Sequence, residues 1–388
     1  MVRPSFRNLA WIAAALLLPF GAGCNILDGG DDDSWLRSRE SGSDAGFVTR
    51  HTPDAALVPD GADAGTDADD AGTDADDAGT GAGEAGAAEP GIAFTVVVLP
   101  DTQYYSSSHP EIFAAQTRWI VEQKSARNIA VALHVGDIVD GANDPAQWMA
   151  ASSSLRPMDG LVPYVLVPGN HDSNANRVGL IDNYFAPTTM RWITNTMTAG
   201  QIENNYTLVD IGPQQWLVLG LEFGPRDAVI TWADGVLKAF PTKPAIIVTH
   251  AYLYGDGTRY DVAKSGLDPN QPSFQAFIPQ SYYYTTKEGS NDGEQIWQKL
   301  IVPNPNVRLV FCGHDNGAAR LTSLRPDGSR VHQMLSDYQW LDDSGGSGFL
   351  RVLQFDYSQK QIRVQTYSPY LDQYMTDDAN QFTLSLEL

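Results

Sequence analysis

Six short apolar runs, each closed by a polar cluster, constrain this chain more than any other feature. Residues 93–99, 129–135, 164–167, 216–221, 245–249 and 307–311 are brief and rich in β-branched side chains. Such runs predict buried strands. Helix-period segments lie between some of them. Over 110–127, Ile112, Phe113, Gln116, Trp119, Ile120 and Gln123 fall near one face, with Pro110 in the first turn. Residues 144–155 and 291–302 are shorter helix candidates. Strands alternating with helices imply an α/β domain with buried sheets. Later, 330–335, 349–355, 361–366 and 382–386 read as antiparallel strands with no helix between them. Both halves fit one layered α/β/β/α sandwich over 91–388, two mixed sheets flanked by helices, large enough to bury its own core.

The chemistry sits where the strands end. The first run stops at Pro100-Asp101-Thr102-Gln103, the second at Gly136-Asp137-Ile138-Val139-Asp140, and the third at Pro168-Gly169-Asn170-His171-Asp172. Residues 245–249 stop at His250, and 307–311 at Cys312-Gly313-His314-Asp315-Asn316. Ligand sites of α/β sheets lie beyond the carboxyl ends of strands. These ends therefore predict one converging set of oxygen and imidazole ligands. No thiolate is needed, and the set suits manganese, iron or zinc better than a structural zinc site. Gly136, Gly169 and Gly313 each precede a candidate ligand pair, where a sharp turn needs a permissive backbone. Each dipeptide alone is an ordinary turn. The ordered set is far more specific.

That set, carried on Gly136-Asp137 and Gly169-Asn170-His171-Asp172 above all, resembles the calcineurin-like metallophosphoesterases over roughly residues 93–368. Leu99-Pro100-Asp101-Thr102-Gln103-Tyr104 is similar to a bacterial and fungal branch in which Gln replaces His two residues after the first Asp. The resemblance implies two divalent ions and a phosphate-ester substrate. Asp101 and Gln103 would bind the first metal, Asp137 would bridge, and Asn170, His250 and His314 would complete the second site. His171 would face the phosphate and protonate the leaving oxygen, with Asp172 orienting its ring. Two ions clamp an in-line displacement at phosphorus, and water on a metal becomes a nucleophile near neutral pH. Neutral amides at Gln103 and Asn170 would limit the site's negative charge. The implied activity is hydrolysis of phosphomonoesters or small phosphodiesters by metal-hydroxide attack.

Two departures from the family pattern stand out. The family ends Gly-His-x-His, its last His a first-metal ligand; here Asn316 holds that place, a poorer ligand, with Asp315 beside it. Purple acid phosphatases carry a tyrosine three residues after the bridging Asp; here it is Asp140. The weakened first site leaves a second reading open, a surface-displayed binding or scaffold protein on a phosphoesterase fold. His109, His134 and His332 match no motif, and His134 reads as a core histidine. The long segment 251–292, with Tyr252, Tyr254, Tyr260, Tyr282, Tyr283 and Tyr284, is either a lid over the pocket or a loop packed on its own aromatics. Asp337-Tyr338-Gln339-Trp340 reads as a strand-to-loop rim.

The first 90 residues differ in kind. Arg3 and Arg7 precede a 12-residue apolar run, 9–20, too short to span a bilayer but suited to an export signal. Phe20-Gly21-Ala22-Gly23-Cys24 then resembles a bacterial lipoprotein cleavage site, with Gly21 where Leu is usual. This implies acylation of Cys24 and anchorage in a lipid bilayer; an ordinary signal peptide is the alternative. Residues 25–90 read as a disordered tether built on the repeat Ala-Gly-Thr-Asp-Ala-Asp-Asp at 64–70 and 71–77. Its Asp pattern lacks the glycine and bidentate Glu of a calcium loop. Residues 28–90 contribute -14 to the formal net charge of -22, and 91–388 keep -10 once the +2 of 1–27 is counted. With no basic run in that acidic domain, duplex nucleic acid is not an expected partner.

Overall fold

The computed structural model describes residues 93–174, 177, 179–265, 277–282 and 289–388. The expectations for the signal segment, Cys24 and the tether lie outside the described residues, as do Tyr283 and Tyr284.

Strands β1 (Phe94–Leu99), β2 (Ile129–His134) and β3 (Tyr164–Val165) pair in parallel and open the first sheet. The chain then builds a second sheet from β4 (Asn195–Thr196), β5 (Asn205–Ile211), β6 (Gln214–Leu221), β7 (Ala245–Thr249), β8 (Val307–Cys312), β9 (Gly317–Leu324) and β10 (Arg330–Asp337). Their spatial order is β4-β5-β6-β7-β8-β10-β9. It returns to the first sheet with β11 (Leu350–Asp356), β12 (Gln361–Ser368), β13 (Gln373–Met375) and β14 (Phe382–Ser385). That sheet runs β13-β12-β11-β1-β2-β3, with β14 also on β12. β1 is thus central, parallel to β2 and antiparallel to β11.

Alternation along the strands divides the apolar side chains into layers. Val96 and Val98 of β1, Trp216 and Val218 of β6, and Ile246 and Val248 of β7 meet between the two sheets. Their neighbours Val97 and Leu99 turn outward onto Ile112, Phe113, Ile120 and Trp148 of helices Pro110–Gln123 and Pro145–Leu155. Leu217, Leu219 and Ile247 turn outward onto Val229, Ala233 and Leu237 of helix Asp227–Ala239. The architecture is the expected α/β/β/α sandwich, and a central strand such as β7 is buried along its whole length because both faces are covered.

Some elements differ from the sequence reading. The helix from Pro110 stops at Gln123, not 127, because the chain turns through Asn128 at φ 49° to enter β2. Residues 291–302 become a short α-turn, Gly293–Ile296, fixed by an Asp292–Gln295 capping box, then a π-helical turn, Trp297–Ile301. β10 is not purely antiparallel: it pairs in parallel with β8 and antiparallel with β9. β5, β9 and helix Asp227–Ala239 were not anticipated.

Candidate metal centre

The carboxyl ends of β1, β2 and β3 in one sheet meet those of β7 and β8 in the other. The backbone supplies the first contacts. The amide of His314, beyond β8, donates to Asp101 Oδ2 beyond β1 (3.0 Å). His171 N donates to Asp137 Oδ1 (3.0 Å). Gly136 sits at φ 104° and Asp137 at φ 49°, so β2 ends in two consecutive left-handed residues. That turn aims the Asp137 carboxylate at the crevice, and it is a conformation non-glycine residues adopt reluctantly. A Cβ on Gly136 would stand 2.6 Å from His250 Nδ1, and one on Gly169 2.0 Å from Asp137 Oδ1. Both glycines are therefore required by close approach.

Asp137, His250 and His314 are all buried, and each presents a ligand atom within 4.8 Å of the others. Their tautomers follow from their partners. His250 Nδ1 lies 2.8 Å from Val135 O, and a carbonyl only accepts, so Nδ1 carries the hydrogen. His250 Nε2 then points at Asp137 Oδ2 (3.1 Å) and Asn170 Oδ1 (3.2 Å). His314 Nε2 likewise donates to Phe277 O (2.7 Å), leaving Nδ1 as its acceptor. Three lone-pair donors converging on one point need a proton or a cation among them. Around the same crevice, Asp101 Oδ1 and Gln103 Oε1 are buried acceptors without a hydrogen-bond partner among the described residues. Both residues are 1% exposed. A divalent ion accounts for these orphaned oxygens. The donor set thus fits hard or borderline divalent ions: Asp137, His250 and His314 converge, and Asp101, Gln103 and Asn170 could contribute further oxygens.

The electrostatics agree. Burial alone would raise the Asp137 carboxyl, but the His250 and His171 rings hold it well below the usual carboxylate range. Asp137 in turn raises His250 against its burial. Burial and the neighbouring His250 lower His314 to about 3, keeping its ring neutral and able to ligate. Asp101 is pushed well up by burial, then by the negative charges of Asp337 and Asp137.

His171 is partly exposed at the crevice. Its Nδ1 lies 3.0 Å from Asp140 O and 3.3 Å from Asp140 Oδ1. The residue that orients this ring is therefore Asp140, and the expectation for Asp172 is corrected. The Asp172 carboxylate is buried and accepts from the amides of Ile138 (3.0 Å), Val139 (2.9 Å) and Gly169 (2.8 Å). It ties the loop after β2 to the loop after β3. Adjacent residues on a tight loop project in different directions, which adjacency in sequence conceals. Asn316, unlike the other candidate ligands, is exposed, and Asp315 accepts from Gly255 N (2.6 Å).

Other residues fall as follows. His134 is a core histidine, bonded to Thr102 Oγ1 (2.9 Å) and Gly136 N (3.2 Å). His332 bonds Thr322 and the Ser385 carbonyl, far along β10. In the long segment after β7, the Tyr254 and Tyr260 rings pack at a 41° tilt with centroids 3.7 Å apart. Tyr260, Phe277 and Tyr282 surround the His314 ring with centroids 5.8–6.0 Å away. Its aromatics therefore wall one side of the centre. Asp337, at the end of β10, carried no sequence signal, yet it is fully buried and pushed up to about 7 by burial and by Asp137.

Residues 94–317 match the model of the calcineurin-like phosphoesterase family. The chain belongs to that family. It is also 34% identical to YvnB, an uncharacterized protein of Bacillus subtilis (strain 168). That match covers 76% of this chain and 22% of YvnB, so the chain spans about a fifth of that relative's length. Among solved structures it is similar to a dimetal phosphatase from Danio rerio: 12% identity, TM-score 0.45, covering 77% of this chain and 100% of that one. A purple acid phosphatase from yellow lupin (Lupinus luteus) seeds is similar at 15% identity and TM-score 0.44, over 76% of this chain and 54% of that one.

Proposed function

We propose that the chain is a metal-dependent phosphoric ester hydrolase acting on phosphomonoesters or small phosphodiesters. The observation that carries this is the convergence of Asp137, His250 and His314 beside the orphaned oxygens of Asp101 and Gln103. When bound, two divalent ions would supply charge stabilisation at the phosphoryl group and a nucleophile at neutral pH. The Asp-x-Gln form of the first motif belongs to the same reading. The protein's own contribution is placement. Asp137 fixes the separation of the two halves of the centre, and Asp172 fixes the loop that bears Asn170 and His171. The Asp140 carbonyl holds the proton on His171 Nδ1, so Nε2 is the nitrogen suited to protonate the leaving oxygen. The Asp140 carboxylate, 3.3 Å from the same nitrogen, is a second acceptor on that side of the ring.

The test is turnover of p-nitrophenyl phosphate and bis-p-nitrophenyl phosphate by the purified chain after manganese, iron or zinc loading. Hydrolysis of either supports the reading, and their rate ratio sorts monoesterase from diesterase. No turnover with any loaded ion overturns it in favour of a binding role. The chain is further proposed to be exported and anchored through acylated Cys24, on the strength of the 1–24 sequence. Globomycin-sensitive processing in a bacterial host supports the anchor; an unmodified secreted form rejects it.

A further inference from the structure

We propose that Phe277 sets the substrate class of the centre, its ring packing against an aromatic group carried by the phosphate ester. This rests on the hydrolase reading above and concerns which esters the site prefers.

The backbone at position 277 has a task of its own. The Phe277 carbonyl accepts from His314 Nε2 (2.7 Å), which fixes the tautomer of a candidate ligand. In presenting that carbonyl the residue sits at φ 67°, in the left-handed region. Glycine and asparagine enter that region most readily, and a bulky side chain there is an outlier. The backbone task alone therefore does not call for phenylalanine. Core packing does not call for the ring either. Phe277 is 36% exposed, whereas Ile278, the next residue, is the one buried in the apolar cluster with Phe223, Tyr254 and Tyr260.

The position of the ring points to a use. Its centroid is 6.0 Å from that of His314, with the two planes nearly perpendicular at 88°. Tyr282 (5.8 Å) and Phe223 (5.2 Å) stand against the same imidazole, and Phe223 also lies 5.8 Å from His250. Tyr282 and Phe223 meet edge to face at 5.0 Å. Two candidate ligands thus sit directly against aromatic surface, and Phe277 is the most exposed of the three rings that form it. This wall offers ring surface rather than positive charge. Arg177 reaches the same loop, but its guanidinium is engaged by the carbonyls of Phe223 (2.8 Å), Gly224 (3.1 Å) and Gly289 (3.1 Å). An open aromatic ring beside the ligands gains most from a second aromatic ring, in offset-stacked or edge-to-face contact. An ester with a flat apolar group makes that contact; a small polar or polyanionic one does not. Phe277 is thus a specificity-determining residue, holding the organic part of the ester while the centre holds its phosphoryl group.

The experiment uses the full-length chain loaded with manganese, as wild type, Phe277→Gly, Phe277→Asn and Phe277→Tyr. Two readouts are taken. One is kcat/KM for benzyl phosphate against n-butyl phosphate, by phosphate release. The other is calorimetric affinity for benzylphosphonate against n-butylphosphonate, which are not hydrolysed. Glycine and asparagine both tolerate the positive φ, so the carbonyl on His314 and the metal content should stay native while the ring is lost. Wild type is expected to favour the benzyl member of each pair. Both variants without the ring should cut that preference about 3–10-fold, the worth of one aromatic contact, and Phe277→Tyr should keep it. If one of the two fails to fold, the other gives the same reading. No benzyl preference in wild type, or a preference unchanged by loss of the ring, overturns the inference. So does an equal fall for both members of a pair with loss of metal, which would make Phe277 only a support for His314. Wild type hydrolysing neither these esters nor bis-p-nitrophenyl phosphate is a different failure, since it removes the hydrolase reading itself.

Discussion

His171 owes its proposed role to which of its ring nitrogens carries a fixed proton. Asp140 settles that through its carbonyl, 3.0 Å from Nδ1. His171→Ala should therefore lower kcat by about 10²–10⁴-fold while leaving metal content unchanged, since proton donation is lost and no ligand is. Steady-state kinetics beside metal analysis checks both halves; native kcat would reject the acid role. Glu203 makes a separate prediction about stability. Burial, with Asp182 and Glu222 adding, pushes its carboxyl from 4.5 up to about 7. The folded chain thus binds the proton more tightly than the unfolded one. The resulting stability is full below the unfolded value of 4.5 and is lost as pH rises through 7. Glu203→Gln should stabilise the chain at pH 8, by up to about 3 kcal/mol, and be near neutral at pH 4.5. Urea melts at the two pH values measure this; equal effects at both would show that burial is not the cause. Sequence made His171 legible because its motif is dense. It misassigned the partner, since Asp172 is next in the chain while Asp140 is next in space.

The strand ends act as the functional elements. β2 ends in consecutive left-handed residues, and the glycine there also lets His250 approach. Gly136→Ala adds a methyl 2.6 Å from His250 Nδ1 and strains a φ of 104°. Displacing a ligand ring by such a contact should cost ~10²-fold in activity, because geometry near the reacting atoms is steep. It should also weaken one metal site, read by calorimetric manganese titration; native affinity and rate would show that the turn yields without consequence. The strands were readable from their β-branched runs, as was the helix from Pro110. Helix Asp227–Ala239 escaped although Val229, Ile230, Ala233 and Leu237 form an apolar face. β9 escaped because it is an edge strand with a largely exposed, polar alternation, which resembles loop composition.

Across the whole molecule, the two sheets are joined by an apolar layer, and the ligands come from both. Metal binding therefore links the sheets and should stabilise the fold as a unit. An ion at ~100 times its dissociation constant adds about 2.7 kcal/mol, which at this size corresponds to roughly 5–10 °C in melting temperature. Thermal melts with manganese and with chelator should differ by about that amount. Identical melts would mean that the centre holds no ion tightly. The effect should fade in acid, where protons replace cations on the buried carboxylates.

The sequence alone determined the layered α/β architecture and pointed to the calcineurin-like family. Those properties rest on local patterns: short β-branched apolar runs, and polar clusters at their ends, three of them opened by Gly136, Gly169 and Gly313. Only the tertiary structure decided which carboxylate serves which neighbour. Asp140, Asp172 and Asp337 are alike as letters, and they differ in what faces them. Asp172 meets three backbone amides, Asp140 meets an imidazole, and Asp337 is buried with Gln339 donating to it. The contacts of Asp172 and Asp140 join the loops after β2 and β3, and no local pattern encodes them.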